Sequence, residues 1–214
     1  MVEHHSWELL AALGAFHGVN PGMGWLFAVA LGLQERRRRA VVNALVPLGL
    51  GHALAVTAAV AAAALAGAVL SATVLRAIVA AALLAFGGRR LLRHSHPAWA
   101  SMRVGFARLT LWSFLMASAH GAGLMVVPIF LGMTGGGAEA HAAHAHHAVT
   151  AASTLGATLF ATSLHAAGYL VVTGLVALVV FEKFGVGLLR TAWLNTDTMW
   201  AAALIATGLA TMLI

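Results

Sequence analysis

From Ala40 to Ala66, and again from Ala148 to Phe181, the chain runs without one charged residue. A helix needs ~20 apolar residues to cross the hydrocarbon core of a bilayer, and both runs have that reach. The interruptions are short and basic, chiefly Arg36 to Arg39 and Arg89, Arg90 and Arg93. A soluble domain carries roughly 25% charged residues. Here the figure is 8%, against 61% hydrophobic, which is too little charge to cover a surface in water. Strands of a membrane barrel alternate polar and apolar residues, whereas these runs are continuous and rich in Ala and Leu. The sequence therefore predicts an all-α integral membrane protein.

Six spans are expected, near Leu9–Leu33, Ala40–Ala66, Leu70–Gly88, Arg108–Met133, Ala148–Phe181 and Thr198–Ile214. They group as a first three-helix unit over 1–92, a cytoplasmic connection over 93–107, and a second unit over 108–214 with a His-rich loop at 134–148. Pro97 disfavours helix at His96 and so favours a connection there. Phe184–Leu194 has the spacing of an interfacial helix. Trp7, Trp25, Trp99, Trp112, Trp193 and Trp200 fall mostly near span ends, where an amphipathic ring is favoured.

The formal charge is +6, but it is clustered between apolar runs, as in cytoplasmic loops, and no nucleic-acid partner is expected. Putting both arginine clusters inside leaves the two termini and the His-rich loop outside, with Arg76 the exception. The start of the chain lacks a basic region and a cleavage pattern, so the first run is expected to stay as a span. A multi-pass protein of a bacterial-type inner membrane is the resulting expectation, with the lipid bilayer as its main partner. Cysteine is absent, which excludes thiolate sites and disulfides.

The two halves share a pattern. Phe16-His17-Gly18-Val19-Asn20-Pro21-Gly22 in the first span answers to Ala119-His120-Gly121-Ala122-Gly123 in the fourth, with Pro128 beyond. Gly51-His52-Ala53 in the second answers to Leu164-His165-Ala166 in the fifth. Three spans per half would set the second half upside down relative to the first, the inverted plan of many transporters. Gly and Pro inside a span free backbone groups, which is tolerated only where they face protein or a cavity. Gly18, Asn20, Pro21, Gly22, Gly121, Gly123 and Pro128 are thus expected to break the helices and line a site.

His17, His52, His120 and His165 lie within apolar runs. Each alone is most simply a neutral imidazole bonded to a neighbouring helix. Four at corresponding places point to a shared site near the midplane, since imidazole is a preferred ligand for Zn, Ni, Co, Cu and Fe. His141, His144, His146 and His147 form a separate tract whose composition suits auxiliary metal binding or a solvated loop. His4, His5, His94 and His96 are expected at the surface.

The motif from Phe16 to Gly22, followed by Trp25-Leu26-Phe27-Ala28-Val29-Ala30, resembles the His-x-x-x-Pro-Asp-His signature of nickel/cobalt permeases. It is also similar to urease-accessory membrane proteins of the lysine-exporter superfamily. The resemblance implies six spans as an inverted pair of three and a transition-metal cation as cargo. His17 and Pro21 carry over from the motif; Gly22 and Met23 stand where the acid and second histidine are expected. Two other functions fit the same histidines: a haem-b cytochrome with bis-histidine ligation, and an anchor subunit packing a partner through Ala/Gly faces. A homo-oligomer or a partner membrane subunit stays open, and no catalytic residue is expected: nothing in the sequence resembles a hydrolase.

Overall fold

The computed structural model describes residues 3–92, 105–135, 147–184 and 196–213. Among them there is no strand. Eight α-helices follow in order: α1 Glu3–Val19, α2 Trp25–Glu35, α3 Arg38–Gly67, α4 Ala72–Leu92, α5 Phe106–Ala119, α6 Ala122–Gly135, α7 His147–Val179 and α8 Thr196–Leu213. A π-helical turn, Val180–Phe184, extends α7. The Ala- and Leu-rich runs favour helix intrinsically, and most of them end at a glycine, an asparagine or the arginines.

Three helical stretches are long and apolar enough to cross a membrane: Arg38–Gly67, Ala72–Arg89 and Leu155–Phe184. A fourth joins them if α5 and α6, bent by 60° at their junction, count as one span. The outward faces agree with a bilayer as solvent. Val46, Leu50 and Leu54 recur at helical spacing on α3, as do Val171, Leu175 and Val179 on α7, and all are exposed. In water such stripes would be a large apolar patch; in hydrocarbon they match their surroundings.

The first expected span is interrupted. Asn20 leaves the helix with extended backbone, and its side chain accepts the Gly22 N–H at 2.9 Å. Pro21 then opens a short 3-10 turn, Pro21–Met23, since its fixed φ suits a first helical position and it has no N–H to satisfy. The fourth expected span is interrupted at Gly121, whose φ of 70° is one that only glycine adopts without strain. The sequence extends that break as far as Pro128, but Pro128 lies inside α6. Proline is accommodated within a membrane helix where neighbours satisfy the freed carbonyl.

α3 and α7 pack on each other and each on a further helix, α5 on α3 and α1 on α7, while α4 packs on α8. Arg38 at the start of α3 pairs with Glu182 beyond α7 at 3.4 Å, so α3 and α7 run antiparallel. Arg37 is bonded to Glu35 in the same basic turn. Two glycines one turn apart, Gly14 and Gly18, let α1 lie directly against α7. A Cβ on Gly14 would stand 2.0 Å from the His165 carbonyl oxygen, and one on Gly18 2.7 Å from that of Tyr169. This close approach of small residues brings His17 to His165.

Candidate functional site

His52 lies midway along α3, a helix of 30 residues and so ~45 Å long. It meets His165 of α7 and His17 near the end of α1. The three rings touch: His17 to His165 at 4.9 Å between centroids, His52 to His165 at 5.3 Å and His17 to His52 at 5.6 Å. All three are 0% exposed, and His120 is 2% exposed.

Hydrogen bonds fix most of the tautomers. His17 Nδ1 is 2.7 Å from the Leu13 carbonyl, His165 Nδ1 is 3.2 Å from that of Leu10, and His120 Nδ1 is 2.7 Å from that of Met116. A carbonyl only accepts, so Nδ1 carries the proton in each ring and Nε2 keeps its lone pair. Bonds of this kind orient metal-ligating histidines, although a structural histidine makes the same bond.

The other ring nitrogens distinguish the cluster. His17 Nε2, His165 Nε2 and both nitrogens of His52 are buried without a hydrogen-bond partner, as is Asn20 Nδ2. Each such atom costs about 1–3 kcal/mol, and a membrane interior offers no water to relieve it. Among the described residues, no three His, Asp or Glu side chains already form a metal-binding group. The ring geometry explains this. His52 and His165 are stacked at an interplanar angle of 12°, and an imidazole donates in its own plane, so their lone pairs lie in separate, nearly parallel planes instead of converging.

His120 adjoins the trio through two neighbours. Trp200 of α8 lies against both His17 and His120, with centroids at 4.4 and 5.9 Å. A Cβ on Gly22 would stand 3.4 Å from His120 Nε2 and 3.2 Å from Asn20 Oδ1, so the first helix break faces the second. Gly123 serves the packing of α6 on α3: its Cβ would meet that of Ala59 at 2.3 Å. Pro21 is buried in the 3-10 turn.

Three aromatic side chains cap carbonyls at the breaks. Tyr169 O–H donates to Met23 O at 2.6 Å, Trp200 Nε1–H to His120 O at 2.6 Å, and Trp25 Nε1–H to Val19 O at 2.9 Å. Sequence reasoning assigns Trp25 and Trp200 to the membrane interface; both are buried, because each indole N–H satisfies a backbone oxygen inside the protein. Tyr169 escapes sequence reasoning, although it is the one tyrosine of the chain and follows His165 by one turn. Its ring stacks on His52 at 4.0 Å. Of the His-rich tract, His141, His144 and His146 lie outside the described residues, as do His94, His96 and the rest of residues 93–104 of the expected 93–107 connection. His147 opens α7.

No family model, no curated protein and no solved structure matches this chain.

Proposed function

We propose that this chain is a membrane transporter or binding protein for a divalent transition-metal cation, which is its substrate. His17, His52 and His165 would hold the cation, with His120 and Asn20 beside them. The carrying observation is the set of unpartnered ring nitrogens in three touching, fully buried histidines. A protein gains nothing in stability from such a set, and unsatisfied polar groups at depth are most economically explained by a ligand they serve.

The donors are all neutral. Among the described side chains no carboxylate stands at the cluster: Glu8, Glu35 and Glu182 are all exposed. Imidazoles without a carboxylate coordinate a cation but leave its charge uncompensated, which suits a site that releases its cargo. Loading would turn His52 out of its stack so that its lone pair meets those of His17 and His165.

Parallels between the halves support the six-span inverted repeat. α1 and α5 each carry a histidine in or just after the last turn, bonded through Nδ1 to the carbonyl four residues back, just before a break. α3 and α7 each carry one well inside a long helix, and α1 packs on α7 as α5 packs on α3. This plan, together with His17 and Pro21, is what the resemblance to nickel/cobalt permeases implies.

The test is flux into proteoliposomes holding a fluorescent chelator, with Ni, Co and Zn ions supplied outside in turn. Saturable influx of at least one, lost in His17→Ala, is expected. Influx no greater than in empty liposomes for all three, under gradients of both signs, would refute transport.

A further inference from the structure

Five buried residues fall on one face of α7: Thr158, Thr162, His165, Tyr169 and Thr173. Their spacing of four, three, four and four residues is that of a single helical stripe. The opposite face, with Phe160, Val171 and Leu175, is exposed and apolar. Threonines on the buried side of a membrane helix also serve close packing; what marks this stripe is that its hydroxyls differ in what they bond to.

A threonine in an apolar helix can satisfy itself by donating to the carbonyl one turn back. Thr110, Thr207 and Thr211 do so, at 3.1, 2.8 and 2.7 Å. Thr162 does not: its hydroxyl is buried and unpartnered, one turn from His165 on the side where α7 begins. Thr158 is engaged, and so is the stripe beyond His165 in the other direction, so that Thr162 alone on it has an unpartnered hydroxyl. Tyr169 is stacked on His52 and bonded to Met23 O, and Thr173 Oγ1 reaches Gly18 O at 3.5 Å. Past these, toward the end marked by the Arg38–Glu182 pair, lies an apolar cluster that includes Trp25, Val29, Val41, Leu48, Leu109 and Val180, with Ser113 bonded to Leu48 O; toward the start of α7 the stripe is itself flanked by apolar residues such as Leu10, Val56, Val60 and Ala161.

We infer that the histidine cluster is reached from the face on which α7 begins, along Thr158 and Thr162, and that Tyr169 closes it toward the Arg38–Glu182 face. The direction this gives to a cargo rests on the transport reading; the one-sided access does not. Thr162 is the open hydroxyl through which a hydrated ion or water exchanges ligands on its way to His165. Tyr169 is a positioning residue: it holds the Met23 carbonyl, and with it the first helix break, against the cluster.

The chain has no cysteine, so single cysteines can be read against a silent background. In sealed vesicles of both orientations, a charged, membrane-impermeant thiol reagent would be applied to Thr162→Cys, Thr158→Cys, Thr173→Cys and Phe160→Cys. Glu182→Cys, on an exposed side chain, marks the far face. Thr162→Cys and Thr158→Cys are expected to label only from the face opposite Glu182→Cys, and faster than the lipid-facing Phe160→Cys. Thr173→Cys should stay unlabelled from both faces until Tyr169→Ala is added, and then label from the face opposite Glu182→Cys. Labelling of Thr162→Cys from the Glu182 face, or from neither, would overturn the inference, as would Thr173→Cys labelling with Tyr169 intact. Monodisperse elution of each variant establishes that it is folded, and Thr158→Cys carries the test if Thr162→Cys does not fold. Slower Thr162→Cys labelling with added Zn ions reads the cargo separately: one-sided labelling that Zn leaves unchanged keeps the route and counts against the metal.

Discussion

His17 and His165 come from different helices yet bond their Nδ1 atoms to the same one: to Leu13 O at 2.7 Å and Leu10 O at 3.2 Å, neighbouring carbonyls of α1. Both rings are thereby set with Nε2 free to accept, in contact at 4.9 Å. Loss of either ring should weaken transition-metal binding by at least ~10–100-fold, the range for losing only a partner that orients a ligand. Titration calorimetry on His17→Ala and His165→Ala checks this. Both variants should still insert and elute as wild type, because each deletion also removes an unpartnered buried nitrogen.

Asn20 sits at the first break with Oδ1 on the Gly22 N–H and Nδ2 unpartnered. Asn20→Asp keeps the acceptor and adds a negative charge beside the site. Cation affinity should rise by about tenfold, worth ~1.4 kcal/mol, while flux at saturating metal falls because release slows. Parallel binding and flux measurements separate the two effects. Unchanged affinity would mean that Asn20 serves only the 3-10 turn.

The approach of α1 to α7 is set by backbone contact at Gly14, where a Cβ would stand 2.0 Å from His165 O. Gly14→Ala must push the helices apart, at a cost of about 1–3 kcal/mol for overpacking, and should separate His17 from His165. A Cβ on Gly156 of α7 would meet nothing within 4 Å, so Gly156→Ala should be neutral or slightly stabilising. Thermal unfolding in detergent distinguishes the pair.

Much of this was legible in the sequence. The charge-free runs announce helices, and Asn20-Pro21-Gly22 and His120-Gly121 announce breaks, because each pairs a residue that leaves the helix with one suited to restarting it. Histidines within apolar runs were legible as buried. Trp200 was not: composition places indoles at the interface, and only tertiary packing shows that His120 O needs its N–H. Thr162 was hidden because threonine in a helix normally bonds to its own backbone, and nothing local says when it will not. Pro128 misleads for the converse reason, since a proline's break can be absorbed by neighbouring helices.

Tyr169→Phe removes the hydroxyl from Met23 O and leaves the ring on His52. The stranded carbonyl should cost about 1–3 kcal/mol, seen as a lower unfolding temperature. An unfolding temperature equal to that of wild type would show that Met23 O finds another donor.

A haem between two axial histidines would have to part rings that touch at 4.9 to 5.6 Å. Protein purified after growth with added haem should therefore show no Soret band. A band that His17→Ala abolishes would establish the cytochrome alternative.

Equilibrium dialysis of the detergent-purified protein against Ni, Co, Zn and Cu ions in turn, read by elemental analysis, tests the central claim most directly. Wild type and His17→Ala/His165→Ala carry the same His141–His147 tract, so their difference isolates the buried cluster. Near-stoichiometric excess of at least one metal in wild type, absent from the double variant, is the predicted result. Equal metal in the two proteins, or none in either, would contradict a cation site at these histidines.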